Sequence, residues 1–279
     1  MQDWKSLWRH GRRHPIETVI SLLVIALIAW AIWASGSWVV QAADWSVVGS
    51  NLPLYLSGSY PASERWRPWL WVSLLTVLTL VTLFRPSKSG RLRWLELALP
   101  WCWIGMIPLG LGLLGGGIAL SAVPSREWGG LSLTLLLTAC SAALALPIGV
   151  LLALGRDSDL PVLRLSSRLY IDLMRAVPLI AVLFFGQLLI PLFLPMQLEI
   201  NRVLRAVVAF ALFAAAYVAE DVRGGLQSIP STQTEAAEAL GLSPIQSLRL
   251  VVLPQALRIA IPALTNQAIG LLQNTSLMA

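Results

Sequence analysis

Seven apolar stretches, each about 20 residues long, recur along the chain and restrict its fold more than any other feature. A helix of that length crosses the ~30 Å hydrocarbon layer of a bilayer. The stretches fall at 17–41, 67–84, 94–118, 129–154, 169–195, 203–219 and 255–273. Composition agrees: 57% of the 279 residues are hydrophobic and 12% are charged, whereas a soluble domain carries about 25% charged residues. The expected fold class is therefore an all-α polytopic membrane protein. The basic start followed by an apolar run has the look of a secretory leader. The run is too long for one and lacks a clear small-residue cleavage site, so it reads as a retained first helix.

The Lys and Arg residues orient these spans. With the N-terminus inside, Lys5, Arg9, Arg12 and Arg13 are cytoplasmic, then Arg85, Lys88, Arg91 and Arg93, then Arg156, Arg164 and Arg168, then Arg223, Arg249 and Arg258. That places 14 basic residues inside and five outside (Arg65, Arg67, Arg126, Arg202 and Arg205), with Arg175 in the fifth stretch. Basic residues collect on the cytoplasmic side of membrane proteins. The N-terminus and the half-polar segment 230–254 are thus expected in the cytoplasm, and the net charge of +6 calls for no nucleic acid.

All 13 tryptophans lie at or before Trp128. Tryptophan favours membrane interfaces, so the uneven distribution suggests two parts. Residues 1–128 read as an N-terminal region of three membrane helices with a periplasmic loop at about 42–66, broken by Pro53, Gly58 and Pro61. Residues 129–279 read as a separate core.

Several patterns imitate chemistry. Gly110, Gly112 and Gly115 match the dinucleotide fingerprint, but they lie in an apolar run without the strand and helix start that cradle a pyrophosphate. Small residues there suit close helix packing. His10 and His14 have i, i+4 spacing but no accompanying acid, in a basic stub that reads as a solvated face. Cys102 and Cys140 sit inside apolar runs and indicate neither a disulfide framework nor a metal cluster. There is no P-loop, so no nucleotide site of that type is expected, and two histidines provide no Ser/His/Asp set. No catalytic, cofactor-binding or metal-binding residue is expected on this chain.

The segment EAAEALGLSPIQSLRLVVLP, from Glu235 to Pro254, has a definite local shape. Thr232 followed by Glu235 fits a capping box opening a short helix. Gly241 is the natural stop, because glycine tolerates the left-handed conformation. Ser243-Pro244 then restarts a helix with Ser as N-cap and Pro at its first position. Ile245, Leu248, Val251 and Val252 fall near one face, and Pro254 marks the entry to the last span. Two short angled helices with small alanines fit a docking surface, and equally a well-capped loop.

The order of residues there resembles the EAA loop of ABC importer permeases, E-A-A-x3-G-x9-I-x-L-P, with Val251 where the family has Ile. The resemblance implies that Glu235, Ala236, Ala237, Gly241, Leu253 and Pro254 belong to an ATPase-coupling element. Flanking segments are similar to the polar amino-acid permeases of bacterial uptake systems. These are GGLSLTLLLTACSAALALPIGVLLALGR from Gly129, YIDLMRAVPLIAVLFF from Tyr170 with Asp172 for the usual Glu, AAAYVAEDVRGGLQSIPSTQTEAAEALGLS, LPQALRIAIPALTNQ, and LLQNTSL.

The likeness covers about 129–279. It implies a type I ABC importer permease core preceded by three extra N-terminal helices. Implied partners are an ABC ATPase subunit dimer that carries ATP and Mg, a second, related permease subunit, and a periplasmic amino-acid-binding protein. The implied cargo is an amino acid, and ATP hydrolysis falls to the separate subunit. The resemblance also implies alternating access in the bacterial inner membrane. Another small polar solute, or an ATPase-independent channel or scaffold, is the alternative. The family often ends K-D-T-S-L where this chain has Gln273-Asn274-Thr275-Ser276-Leu277, and its core has five spans where four are seen here, so a further span is expected beyond residue 279.

Polar groups inside a membrane are expensive and mark function by default. Asp172 and Arg175, and Glu220 and Arg223, share i, i+3 spacing at cytoplasmic span ends. Each couple is either an internal ion pair or an interfacial anchor, or it lines the inner mouth of a pathway. Gln187, Asn266, Gln267 and Asn274 are neutral candidates deeper in the spans, for substrate or for neighbouring helices.

Overall fold

A computed structural model of the chain describes residues 15–84, 93–117, 120–193, 195 and 200–278. The basic stub, with Lys5, Arg9, His10, Arg12, Arg13 and His14, lies outside the described residues, as do Arg85, Lys88 and Arg91. Among the described residues the order is α1 (Pro15–Gln41), α2 (Ser46–Ser57), α3 (Trp66–Leu83), α4 (Arg93–Gly115), α5 (Gly130–Arg156), α6 (Pro161–Ala176), α7 (Leu179–Phe193), α8 (Arg202–Gln227), α9 (Ser231–Ala239) and α10 (Pro244–Thr275). Six helices are long and apolar enough to cross a membrane, or seven if the bent pair α6 and α7 forms one span.

Packing divides the chain into a unit ending at Leu52 and a unit from Pro53 to Ala279, rather than between 128 and 129. In the first unit α1 is apolar on every side and buries none of its residues, the pattern of a helix surrounded by lipid. The expected loop at 42–66 is instead largely helical. Pro53 lies inside α2, which Gly58 follows, and Pro61 precedes a 3-10 turn at Ala62–Glu64.

In the second unit, side chains from before and after residue 128 share one core. Tyr60, Trp71, Met106, Leu114 and Trp128 pack with Leu133, Leu136, Leu137 and Phe210. Gly110 explains part of this. A Cβ there would lie 2.6 Å from the indole of Trp71, a ring that is fully buried and donates to the Met106 carbonyl at 2.9 Å. The glycine pattern of α4 is thus a packing device at Gly110 and Gly115, the latter against Trp128, while Gly112 faces open space. At the same end Arg67 is buried and bonds Glu64 at 2.8 Å and the Ser121 carbonyl and hydroxyl at 2.7 and 2.6 Å. These bonds fasten α3 to the segment after α4.

The central helix is α8. Its alanines Ala206, Ala211, Ala215, Ala216 and Ala219 are almost wholly buried, and small residues let neighbouring backbones approach closely. The fifth predicted span, 169–195, is not a straight helix: α6 and α7 meet at 103°. Pro178 explains the break, because it lacks an N–H and drives the preceding residue from the helical region. Val177 has φ −92° and ψ 135°.

Candidate functional site

Functional geometry gathers at the end of the second unit that holds Arg156, Glu220 and the α9–α10 turn. Helix α9 starts at Ser231 with Pro230 in the capping position and no side-chain cap. The predicted Thr232–Glu235 capping box is therefore absent: proline, with its fixed φ, has moved the helix start. The second helix behaves as expected. Ser243 caps it with Pro244 at its first turn, and the capping box forms here, between Ser243 and Gln246. Gly241 between the helices has φ +80°, and nothing lies within 4 Å of where its Cβ would be. It is glycine for backbone conformation, and its surroundings are open.

From Pro244 the helix does not stop at Pro254. It continues as α10, widening to π-type pairing at Leu248–Val252. Pro254 offers no N–H to the residue four before it, and a π turn just upstream accommodates the missing bond. Glu235, Ala236, Gly241 and Pro254 are exposed, and Leu253 is half-buried. Ala237 differs: it is 3% exposed and seats α9 from inside, so it offers no surface. Two residues beyond the expected set stand out. Leu240 and Ile245, either side of the glycine, are 82% and 77% exposed. No local signal in the sequence separates them from Leu242, which lies between them and is half-buried.

At this end a cluster of charges joins the two spaced couples, with Arg156 and Asp221 added to them. Glu220 accepts from Arg156, from Arg223 at 3.0 Å, and lies 3.7 Å from Arg175. Asp172 pairs with Arg156 at 3.5 Å. The expected Asp172–Arg175 partnership is thus replaced by bonds between helices, with α5, α6 and α8 each supplying charge. Arg175 also stands 5.7 Å from the Tyr217 ring, a cation–π distance. Asp221, beside Glu220, buries Oδ2 without a hydrogen-bond partner. With it, three arginines face three carboxylates. Geometry of this kind ties three helices together and closes the space among them.

The neutral candidates divide. Gln187 donates to the Arg202 carbonyl at 3.1 Å and holds α7 to α8. Asn266 and Asn274 lie exposed on α10, and Gln267 is half-buried. At 100° per residue, exposed Arg258, Thr265, Asn266 and Gln273 fall on one face of α10, which exposed Pro262 and Ile269 share, while Asn274 lies off that face. Four exposed polar residues on one face of a membrane helix suit a wet path or another protein better than lipid. Thr275, from the departing terminal motif, is buried and bonds Thr138 at 3.1 Å, joining α10 to α5.

Comparison with known proteins identifies the family. Residues 145–279 match the family described as binding-protein-dependent transport system inner membrane component. The chain is 39% identical over 266 residues to the inner membrane amino-acid ABC transporter permease protein YhdY of Escherichia coli K12, covering 92% of this chain and 71% of that protein. It is 29% identical over 340 residues to the glutamate/glutamine/aspartate/asparagine transport system permease protein BztC of Rhodobacter capsulatus, covering 95% and 78%. A crystal structure of an amino acid ABC transporter with histidines is 31% identical over 52% of this chain and 66% of that one, with a TM-score of 0.46. This chain belongs to the permease subunits of amino-acid ABC transporters, multi-pass proteins of the inner membrane that work in complex with a separate ATPase subunit.

Proposed function

We propose that this chain carries an amino acid through the inner membrane as one half of a paired permease, with its N-terminus in the cytoplasm. The observation behind this reading is the α9–Gly241–α10 turn, which exposes Leu240 and Ile245 on a capped, rigid corner. Two apolar residues on a cytoplasmic corner fit a groove of an ABC ATPase dimer, which binds ATP and Mg. ATPase closure pushes on this corner, and α10 transmits the push because it runs unbroken from Pro244 to Thr275. The polar face with Arg258, Thr265, Asn266 and Gln273 lines the path, completed by a second, related permease subunit. Residues 129–279 form the permease core, and a periplasmic amino-acid-binding protein delivers the cargo. The charge cluster around Glu220 holds the inner mouth together between cycles. Relatives named for glutamate, aspartate and their amides favour polar amino acids as cargo.

The test is ATP hydrolysis by the purified complex in lipid discs, measured with the binding protein and a panel of amino acids. Hydrolysis stimulated by one or a few polar amino acids supports the reading. Hydrolysis indifferent to every amino acid, but stimulated by another solute, overturns the cargo assignment.

A further inference from the structure

Helix α6 has three distinct sides. Ile171 and Ser167 are buried against the core, with Ile171 packed among Ala153, Val218, Ala219 and Val222. A second side carries Arg164, Arg168, Asp172 and Arg175. A third carries Val162, Leu165, Leu169 and Leu173, which are 57–78% exposed. This stripe recurs at i, i+3, i+7 and i+11 on an otherwise charged helix, the pattern of an amphipathic segment at an interface.

Its orientation follows from its partners. Ser167 stands beside Gly155, Asp172 bonds Arg156, and Arg175 reaches Glu220. Gly155 and Arg156 end α5, and Glu220, which bonds Arg156, lies on α8 before its end, so the charged side of α6 keeps to the level of Arg156, while Tyr170 on another side reaches the Leu212 carbonyl at 2.8 Å. The 103° turn into α7 then directs the chain along α8, where Gln187 meets Arg202. Helix α6 therefore lies across the spans at the level of the charge cluster. Asp172 and Arg175 take part in that cluster. Arg164 and Arg168 are exposed and make no ion pair among the described residues.

We propose that α6 is an in-plane anchor that binds anionic phospholipid of the cytoplasmic leaflet. The leucine stripe enters the boundary between acyl chains and headgroups, and Arg164 and Arg168 meet lipid phosphates. This rests on the reading that the coupling end is cytoplasmic. Charge complementarity selects the occupant: two unpaired guanidiniums edge an apolar stripe at the depth where anionic headgroups lie.

The test uses the complete transporter complex in lipid discs of phosphatidylcholine with about one-third phosphatidylglycerol. A nitroxide is placed at Leu169→Cys in a Cys102→Ser/Cys140→Ala background, and its collisions with oxygen and with a water-soluble nickel chelate are compared. High oxygen and low nickel accessibility support the proposal. Nickel accessibility, meaning water, overturns it, and so does shielding from both reagents, meaning a protein partner. Separately, Arg164→Gln/Arg168→Gln should reduce phosphatidylglycerol retained in mild detergent by about five-fold for each arginine, equivalent to ~1 kcal/mol each. An unchanged ratio of the two lipids overturns the anionic assignment. Neither readout depends on transport, and ATPase recovery in the same preparation reports independently on the coupling reading.

Discussion

Glu220→Gln probes the charge cluster most sharply. The substitution keeps the side-chain shape and removes the carboxylate on which Arg156, Arg175 and Arg223 converge. Breaking a fully buried ion pair costs about 3–5 kcal/mol. Here the side chains of Glu220, Arg156 and Arg223 are 18%, 17% and 28% exposed, while Arg175 is 43% exposed. Water therefore screens part of the loss, and about 2–3 kcal/mol is expected. For a chain of this size that is a fall of roughly 5–10 °C in thermal midpoint. Asp172→Asn is the internal control. Its carboxylate is 56% exposed and makes one 3.5 Å contact, so less than ~1 kcal/mol is expected. Cys140 is buried, and in a Cys102→Ser background a thiol-reactive dye reports its unmasking during a thermal ramp in mild detergent. A midpoint for Glu220→Gln equal to that of Asp172→Asn, or unchanged from the parent, would refute the idea that Glu220 is the hub.

Other changes test separate parts of the account. Gly241→Val should leave the chain inserted but uncouple amino-acid uptake from ATP hydrolysis, because a side chain at φ +80° costs about 1–2 kcal/mol. Since nothing crowds the Cβ, Gly241→Asn should be milder, and equal defects in both would count against a backbone cause. Gly110→Leu should displace the Trp71 indole and lower the thermal midpoint by several degrees, whereas Gly112→Leu, facing open space, should not. Ser243→Ala should cost about 1 kcal/mol through loss of the cap, read as faster amide hydrogen exchange over 244–248.

Much of the architecture is legible in the sequence because a bilayer demands long apolar runs, and most predicted spans match helices to within a few residues. Helix α8 is longer than its apolar run, 203–219, because Glu220 and Arg223 end the hydropathy signal but not the helix, their charges being satisfied in the cluster. The bend at Pro178 was written in the proline, but an apolar window averages over a single residue. Arg156 counts among the basic residues that set orientation, yet its bond to Glu220, 64 positions away, is a product of packing that local spacing cannot contain. The α9–α10 turn is legible in Gly241 and Ser243-Pro244, whose conformations are locally determined. Ala237 faces inward for a tertiary reason, the seating of α9, which no local pattern encodes.

The central claim, that the α9–α10 corner docks the ATPase, is tested most directly by photo-crosslinking in the intact complex. A photoreactive phenylalanine analogue would replace Leu240 or Ile245, with Leu144 in α5 as the control, and adducts would be identified by mass spectrometry. The account predicts adducts to a P-loop ATPase from positions 240 and 245 and none from 144. Adducts absent from both corner positions in a complex that still retains its ATPase would contradict it.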